Sequence, residues 1–142
     1  MAHYRAVVES TRSAEDAFAY LAEFHHVAEW DPGAARAQAL DGPARRGARF
    51  EVVTLFRGRE MPLTYEMTTF DPPRQFVVEA SNGRVKSVDT ITVEPRDGGS
   101  RVTYDARLIP EGIWIVLTPV FALAFQRIGR AAHEGLRNAL RS

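Results

Sequence analysis

The feature that most constrains this chain is a change of hydrophobic period part way along it. From Arg49 to Ile109, apolar residues recur at alternate positions in short runs that tight turns separate. From Trp114 to Leu140, they recur every three or four residues, with charged residues on the opposite side. Alternation predicts half-buried strands, and the longer spacing predicts one long amphipathic helix. Because strands joined by tight turns pair antiparallel, the sequence favours an α+β fold over alternating βαβ units.

The central region predicts six strands. They cover Ala35–Leu40 (weak, and suited to a sheet edge), Arg49–Arg57, Met61–Phe70, Phe76–Ala80, Val85–Val93 and Val102–Ile109. Asn82-Gly83 is the pair that tight hairpins favour, and Gly98-Gly99 forms a second turn signal. An antiparallel meander is therefore expected.

The start of the chain predicts a strand followed by two helices. These elements cover Tyr4–Glu9, Ala14–Glu23 and His26–Trp30. Ser13 and Asp16 have the spacing of a capping box at the start of the first helix. Pro32 ends the second helix, because a proline disfavours helical geometry at the residue before it.

Composition excludes several classes of function. The 142 residues, 45% of them hydrophobic, predict one globular domain over 1–142. Lys+Arg and Asp+Glu each number 18, so the formal net charge is zero and a nucleic-acid partner is not expected. The chain has no cysteine, which excludes disulfides, thiolate catalysis and cysteine-based zinc sites.

No segment has the pattern of a membrane anchor or a secretory signal. The longest apolar stretch, Ile113 to Phe125, is shorter than the roughly 20 residues that a spanning helix needs. The residues after Met1 lack the apolar run of a signal peptide. We therefore expect no stable membrane insertion and a cytoplasmic location.

The ordered set of elements resembles a known superfamily, which includes START lipid-transfer domains, the birch-pollen allergen fold and polyketide cyclase/dehydrase-like proteins (SRPBCC). The resemblance rests on the terminal helix and on Val7–Leu21, Trp30-Asp31-Pro32, Gly47–Phe50, Phe70–Phe76 and the hairpin Ile91–Tyr104. It implies a helix-grip fold, in which a curved antiparallel sheet of six to seven strands wraps a long C-terminal helix, with two short helices after the first strand. It also implies a hydrophobic cavity between sheet and helix.

Asp89 is the strongest candidate for chemistry. Because Ile91 and Val93 should face the core, alternation places Asp89 on the same apolar face. A carboxylate there is costly unless it is paired, hydrogen-bonded or protonated. On that face, Asp89 is expected to be a polar anchor or a general acid/base, with Tyr65 or Tyr104 as its hydrogen-bond partner. Alternatively, Asp89 reaches water or pairs with an arginine, and the tyrosines are core aromatics.

A larger set of side chains is predicted to line the cavity, or otherwise to form ordinary core. Its members are Trp30, Phe50, Phe56, Tyr65, Met67, Phe76, Asp89, Tyr104, Leu108, Trp114, Leu117, Phe121 and Phe125. His26, beside the expected cavity mouth, is a weaker catalytic candidate. Adjacent His25 and His26 point in different directions, and the chain has no HxxxH or HExxH pattern, so no metal site is expected.

Three functions stay open on the sequence alone. The first is a carrier or sensor that binds a lipid, polyketide or isoprenoid-like molecule. The second is a cyclase, aromatase or dehydratase that uses Asp89 and a tyrosine hydroxyl, without a metal or nucleotide cofactor. The third is a protein-interaction or stress-response module that uses the exposed sheet face or Thr118–Phe125. A monomer or a homodimer is compatible with each.

Overall fold

The computed structural model describes residues 2–111 and 130–140, apart from the side chains of Ala2 and Phe56. Its elements, in chain order, are β1 (Ala2–Ser10), α1 (Ala14–Ala22), a 3₁₀ turn (Phe24–His26), α2 (Val27–Trp30), β2 (Ala34–Ala39), β3 (Arg49–Phe56), β4 (Arg59–Asp71), β5 (Gln75–Ser81), β6 (Val85–Arg96), β7 (Gly99–Pro110) and α3 (residues 130–139). The predicted order of strand, two helices and six strands is therefore confirmed.

The seven strands form one curved antiparallel sheet with the order β1-β7-β6-β5-β4-β3-β2. Strands β2 to β7 are a meander, and β1 pairs along β7 from Ala2 opposite Leu108 to Ser10 opposite Ser100. The weak strand predicted at the sheet edge is β2, which among the described strands pairs with β3 alone. One face of the sheet, called the inner face below, carries Ile91 and Val93 and is covered by the helices.

The turn between β5 and β6 has the chemistry that the Asn-Gly pair predicted. The side-chain oxygen of Asn82 accepts hydrogen bonds from the backbone N–H groups of Arg84 (2.9 Å) and Val85 (3.0 Å). Gly83 has a φ of 85°, a conformation that residues with a Cβ rarely adopt. The turn sets the register that pairs Ala80 with Ser87.

Helix α1 begins at the predicted cap and packs on the inner face. The backbone N–H of Asp16 donates to Ser13 Oγ at 3.1 Å, which satisfies one of the free donors of the first turn. Ala17, Phe18 and Leu21 are buried on one side of the helix. The Phe18 ring lies 5.8 Å from that of Phe76, edge to face, so α1 covers the β5 part of the inner face.

Helix α3 packs against the same face and is fastened at its end. Its residues Ala132 and Leu136 are buried, as is Leu140 just after it. The Ser10 hydroxyl donates to the carbonyl of Leu140 at 3.1 Å, which satisfies a carbonyl that the helix end leaves free. The predicted long helix includes α3; its earlier part lies outside the described residues. Within the described ranges, no helix is long and apolar enough to cross a membrane.

Candidate functional site

Strand β6 places a carboxyl group on the inner face among apolar neighbours. Asp89 is 6% exposed and Ser87 is 8% exposed, as alternation with Ile91 predicted. The residues opposite Asp89 on the two flanking strands are Val78 on β5 and Ala106 on β7. Neither neighbour offers a charge or a side-chain hydrogen bond. The Asp89 carboxyl therefore depends on polar groups that reach it from further away.

Hydroxyl groups from three strands supply that polar environment. The Tyr65 hydroxyl on β4 donates to Ser87 Oγ at 3.1 Å, across strand β5. Ala80, the β5 residue opposite Ser87, is small and leaves room for this contact. The hydroxyls of Ser87 and Tyr104 lie within hydrogen-bonding reach of the Asp89 carboxyl. The structure thus brings Asp89 together with both of its alternative predicted partners, with Tyr104 directly and with Tyr65 through Ser87.

Asp31 is a further carboxyl, and its charge acts on Asp89, Tyr65 and Tyr104, although its sequence context indicates only the end of a helix. One of its oxygens accepts a hydrogen bond from the backbone N–H of Gly33 at 2.8 Å. The preceding residue, Trp30, packs its ring edge to face on Tyr104, with centroids 5.5 Å apart. The signal that could have revealed Asp31 is its position directly after Trp30, a predicted cavity residue. We call Asp31, Tyr65, Ser87, Asp89 and Tyr104 the inner polar cluster.

Burial dominates the electrostatics of the inner polar cluster. The pKa of Asp89 is raised to about 8, mainly by desolvation; the charges of Asp31 and Asp105 contribute to the rise, and hydrogen bonds from Tyr104 and Ser87 oppose it. Burial also raises the pKa of Asp31, against the hydrogen bond from Gly33. The pKa values of Tyr65 and Tyr104 are raised for the same reason, so both phenols stay protonated. At neutral pH, Asp89 is mostly protonated and can both donate and accept a hydrogen bond.

No cationic side chain balances these carboxyls in the part of the chain that the structure describes. The ion pairs there involve other acids, such as Asp41 with Arg49 and Glu60 with Arg36. The same residues include no group of three or more His, Asp or Glu side chains arranged to hold a metal ion.

The predicted cavity residues fall into two groups by their remaining exposure. Phe50, Met67 and Phe76 have no exposed surface, and the Phe24 ring packs edge to face on Phe50 at 6.2 Å and on Phe76 at 6.5 Å. By contrast, Tyr65 and Tyr104 keep 6% and 8% of their surface, similar to Asp89. Both groups are therefore buried, and the Phe50–Phe76 side is packed by the chain's own side chains.

The other predicted cavity residues have varied positions. Leu108 is partly buried and packs against the core, and Trp30 is 3% exposed. For Phe56, only the backbone in β3 is described. The remaining four lie outside the described residues: Trp114, Leu117, Phe121 and Phe125.

His26 belongs to a separate cluster at the surface end of α1. Its Nδ1 lies 2.7 Å from the carbonyl oxygen of Tyr20, and its ring stacks on the Tyr20 ring at 4.6 Å. The Tyr20 hydroxyl in turn donates to Glu29 at 2.9 Å. Its neighbour His25 stacks at 6.4 Å on Phe50, and its buried Nδ1 has no hydrogen-bond partner among the described residues. The structure does not bring His26 to Asp89.

The curved antiparallel sheet, with helices packed on its inner face, is consistent with the helix-grip class of proteins. The chain belongs to one family within this class: residues 1–141 match the model of the polyketide cyclase / dehydrase and lipid transport family. The predicted membership of the SRPBCC superfamily is thereby confirmed.

Solved structures of the same superfamily share the fold at low sequence identity. A START superfamily protein from Mycobacterium smegmatis is similar, with a TM-score of 0.76 and 11% sequence identity. The match covers 97% of this chain and 96% of that protein. Major latex-like protein 151 from Panax ginseng has a TM-score of 0.70 at 11% identity, covering 99% and 97%. The di-domain ARO/CYC StfQ from the steffimycin biosynthetic pathway has a TM-score of 0.71 at 10% identity, covering 97% of this chain and 50% of that protein. No curated protein matches the chain in sequence.

Proposed function

We propose that the protein is a carrier or sensor that binds a hydrophobic small molecule bearing one oxygen function against the inner face. The observation that carries this proposal is the inner polar cluster, in which Tyr65, Ser87, Asp89 and Tyr104 place hydroxyl and carboxyl groups on a mostly apolar face. A ligand that covers this place buries apolar area, which contributes about 25 cal/mol per Å². The family description, which includes lipid transport, supports the same function.

The polar groups would orient the ligand without supplying most of the affinity. A protonated Asp89 donates a hydrogen bond to a ligand carbonyl or hydroxyl oxygen, and the Tyr104 hydroxyl is close enough to share that oxygen. The Trp30 ring, held on Tyr104, provides an apolar wall beside them. This division of roles, with many apolar contacts and few polar ones, is typical of small-molecule pockets.

Binding of an aliphatic alcohol series tests the proposal. For 1-octanol, 1-nonanol and 1-decanol, titrated by calorimetry below their solubility limits, we expect saturable 1:1 binding. The dissociation constant should fall roughly fourfold per added methylene, because each buried CH₂ contributes about 0.8 kcal/mol. In addition, native mass spectrometry of the freshly purified protein should detect a co-purified apolar ligand.

A matched pair of variants locates the binding place. Ala106→Leu adds bulk on the inner face directly opposite Asp89 and should weaken binding at least about tenfold. Ala131→Leu adds the same atoms at an exposed position of α3 and should leave binding unchanged. Thermal unfolding of both variants establishes that they are folded. Absence of saturable binding by the unmodified protein, or equal binding by both variants, contradicts the proposal.

A second function, proton transfer by a cyclase- or dehydratase-type enzyme, is favoured by one specific observation. The pKa of Asp89 is raised to about 8, close to the working pH of a general acid or base, and two phenols accompany it. Such a site can remove a proton next to a ketone while a tyrosine hydroxyl stabilises the developing oxyanion.

Deuterium exchange measures this activity without knowledge of the natural substrate. In D₂O, the protein should speed exchange of the hydrogens next to the carbonyl of 2-decanone, followed by NMR. Asp89→Asn should lower the rate about 100-fold or more, because the amide cannot accept the proton. Asp97→Asn, at the exposed tip of the β6–β7 hairpin, is the control and should exchange like the unmodified protein. If the exchange rate with the protein equals the rate in buffer alone, the proton-transfer function is contradicted and ligand binding remains as the proposed function.

A further inference from the structure

Strand β1 lies at one edge of the sheet and is regular along its whole length. Among the described strands it pairs with β7 alone, in an unbroken register from Ala2 to Ser10. Strand β2, at the other edge, is shorter and has a register shift between Ala34 and Arg36. A bulge of this kind protects an edge against pairing with another chain, whereas a long regular edge is a template for such pairing. Of the two edges, β1 is therefore the one suited to adding a strand.

The hydrogen-bonding pattern of the sheet determines which residues of β1 direct backbone groups to that edge. Arg96 and Gly99 flank the two-residue turn between β6 and β7, so they form a hydrogen-bonded pair. Because such pairs alternate in an antiparallel sheet, Ser100 and the other even-numbered residues of β7 bond to β1. Their partners on β1 are also even-numbered, as Ser10 opposite Ser100 illustrates. The odd-numbered residues of β1 therefore direct their N–H and C=O groups away from β7.

The same odd-numbered residues carry exposed side chains on the outer face of the sheet, which is opposite the inner face. They are His3, Arg5, Val7 and Glu9, which we call the β1 edge. Val7 is 48% exposed, although it is an apolar residue in the middle of a strand. Glu9 accepts a hydrogen bond from Arg101 at 2.6 Å, but its side chain keeps 60% of its surface. An exposed apolar centre is thus flanked by one positive and one negative side chain.

We propose that the β1 edge pairs with the β1 edge of a second copy of this chain, antiparallel, about a two-fold axis at Val7. An interface of this symmetry uses the same surface on both copies. Val7 then lies opposite Val7 of the second copy, and Arg5 lies opposite Glu9. Each such pair exchanges two backbone hydrogen bonds, since both residues direct their backbone groups to the edge. The surface is separate from the inner polar cluster, and the pairing does not depend on ligand binding.

The side chains of the β1 edge select this register over its neighbours. An axis at Arg5 would place two arginines opposite each other, and an axis at Glu9 would place two glutamates opposite each other. Like charges directly opposite on neighbouring strands are destabilising. An axis at Ala6 or Val8 would place Val7 opposite a charged residue. With the axis at Val7, the favourable contact of Arg5 with Glu9 occurs twice, once on each side of the apolar pair.

Sedimentation velocity over a concentration series measures the pairing. We expect a reversible monomer–dimer equilibrium with a Kd on the order of 10–100 µM, because pairing of two edges buries less than the roughly 1,600 Å² of a standard interface. Val7→Pro should weaken dimerisation at least about tenfold, because proline has no N–H to donate. The Val7 N–H points away from β7, so the substitution removes no hydrogen bond within the sheet. Thermal unfolding should accordingly show a folded variant.

Charge reversal tests the pairing of Arg5 with Glu9. Arg5→Glu and Glu9→Arg should each weaken dimerisation at least about tenfold, since each places like charges opposite each other. An equimolar mixture of these two variants should form a heterodimer within about threefold of the unmodified affinity, because every glutamate then faces an arginine. The control is Arg36→Glu, at an exposed position of the other edge strand, which should leave dimerisation unchanged.

Three results would overturn the inference. The first is an unmodified protein that stays monomeric up to about 1 mM. The second is a dimer that survives Val7→Pro and Arg5→Glu but is lost in Arg36→Glu, because the second copy then binds at β2. The third is loss of the dimer in both charge variants without recovery in their mixture, because the register centred on Val7 requires that recovery.

Discussion

Replacing Asp89 by Asn should abolish a fall in the free energy of unfolding of about 1.4 kcal/mol per pH unit between pH 4 and pH 8. In the unfolded chain this carboxyl ionises near its ordinary pKa of 3.8, whereas in the folded protein its pKa is raised to about 8 by burial. Between these two values, the folded state holds a proton that the unfolded state has released. The stability that depends on Asp89 is therefore fully present below pH 4 and is lost as the pH rises to 8.

The size of this effect makes it one of the largest that a single conservative substitution can have here. Over the whole interval it amounts to roughly 6 kcal/mol, comparable with the 5–15 kcal/mol that stabilise a typical domain. Above pH 8 both states have lost the proton, and the dependence on Asp89 disappears. The Asn variant should thus be close to the unmodified protein at pH 5 and clearly more stable at pH 8.

Urea unfolding at half-unit pH steps from 5 to 9 measures the difference. The control is Asp97→Asn, at the exposed tip of the β6–β7 hairpin, whose stability should follow that of the unmodified protein at every pH. Parallel stability curves for Asp89→Asn and the unmodified protein would mean that Asp89 is ionised and solvated in the folded state. That result would also remove the basis for its role as donor or general acid.

Replacing Gly135 by alanine should destabilise the protein by about 3 kcal/mol or more. A Cβ atom at this position of α3 would overlap the backbone carbonyl group of Trp30. The obstacle is backbone and cannot rotate away as a side chain could, so α3 must move off the end of α2. Trp30 packs on Tyr104, and the movement would also disturb the inner polar cluster.

The sign of the stability change in Gly135→Ala distinguishes an effect of packing from an effect of helix propensity. Glycine to alanine inside a helix ordinarily increases stability by about 0.5–1 kcal/mol. Asn138→Ala on the same helix is exposed and should be neutral or slightly stabilising. Thermal and urea unfolding of both variants provide the comparison, and ligand titration of Gly135→Ala under folding conditions tests the coupling to the site. An increase in stability for Gly135→Ala would show that α3 does not lie against Trp30.

The burial of Asp89 could be predicted from sequence because strands have a fixed period of two. Once Ile91 and Val93 are taken to face the core, Asp89 has no other face to occupy. The same rule predicted the inward side of β4, where Leu63, Tyr65 and Met67 are buried. The capping of α1 and the hairpin before β6 were predictable for a similar reason, since each depends on residues only a few positions apart.

What the sequence determined by itself was the set of elements, their inner and outer faces, the family and the presence of an acid on an apolar strand face. Tertiary structure alone decided which groups that acid meets. The charge of Asp31, from the turn after α2, acts on Asp89, and Tyr65, two strands away, reaches Ser87 beside it, only because of the curvature of the sheet and the packing of the helices. The close approach of Gly135 to Trp30 belongs to the same class of contact. Periodicity describes the direction of a side chain within its own element, whereas a contact between distant elements depends on how the whole chain packs.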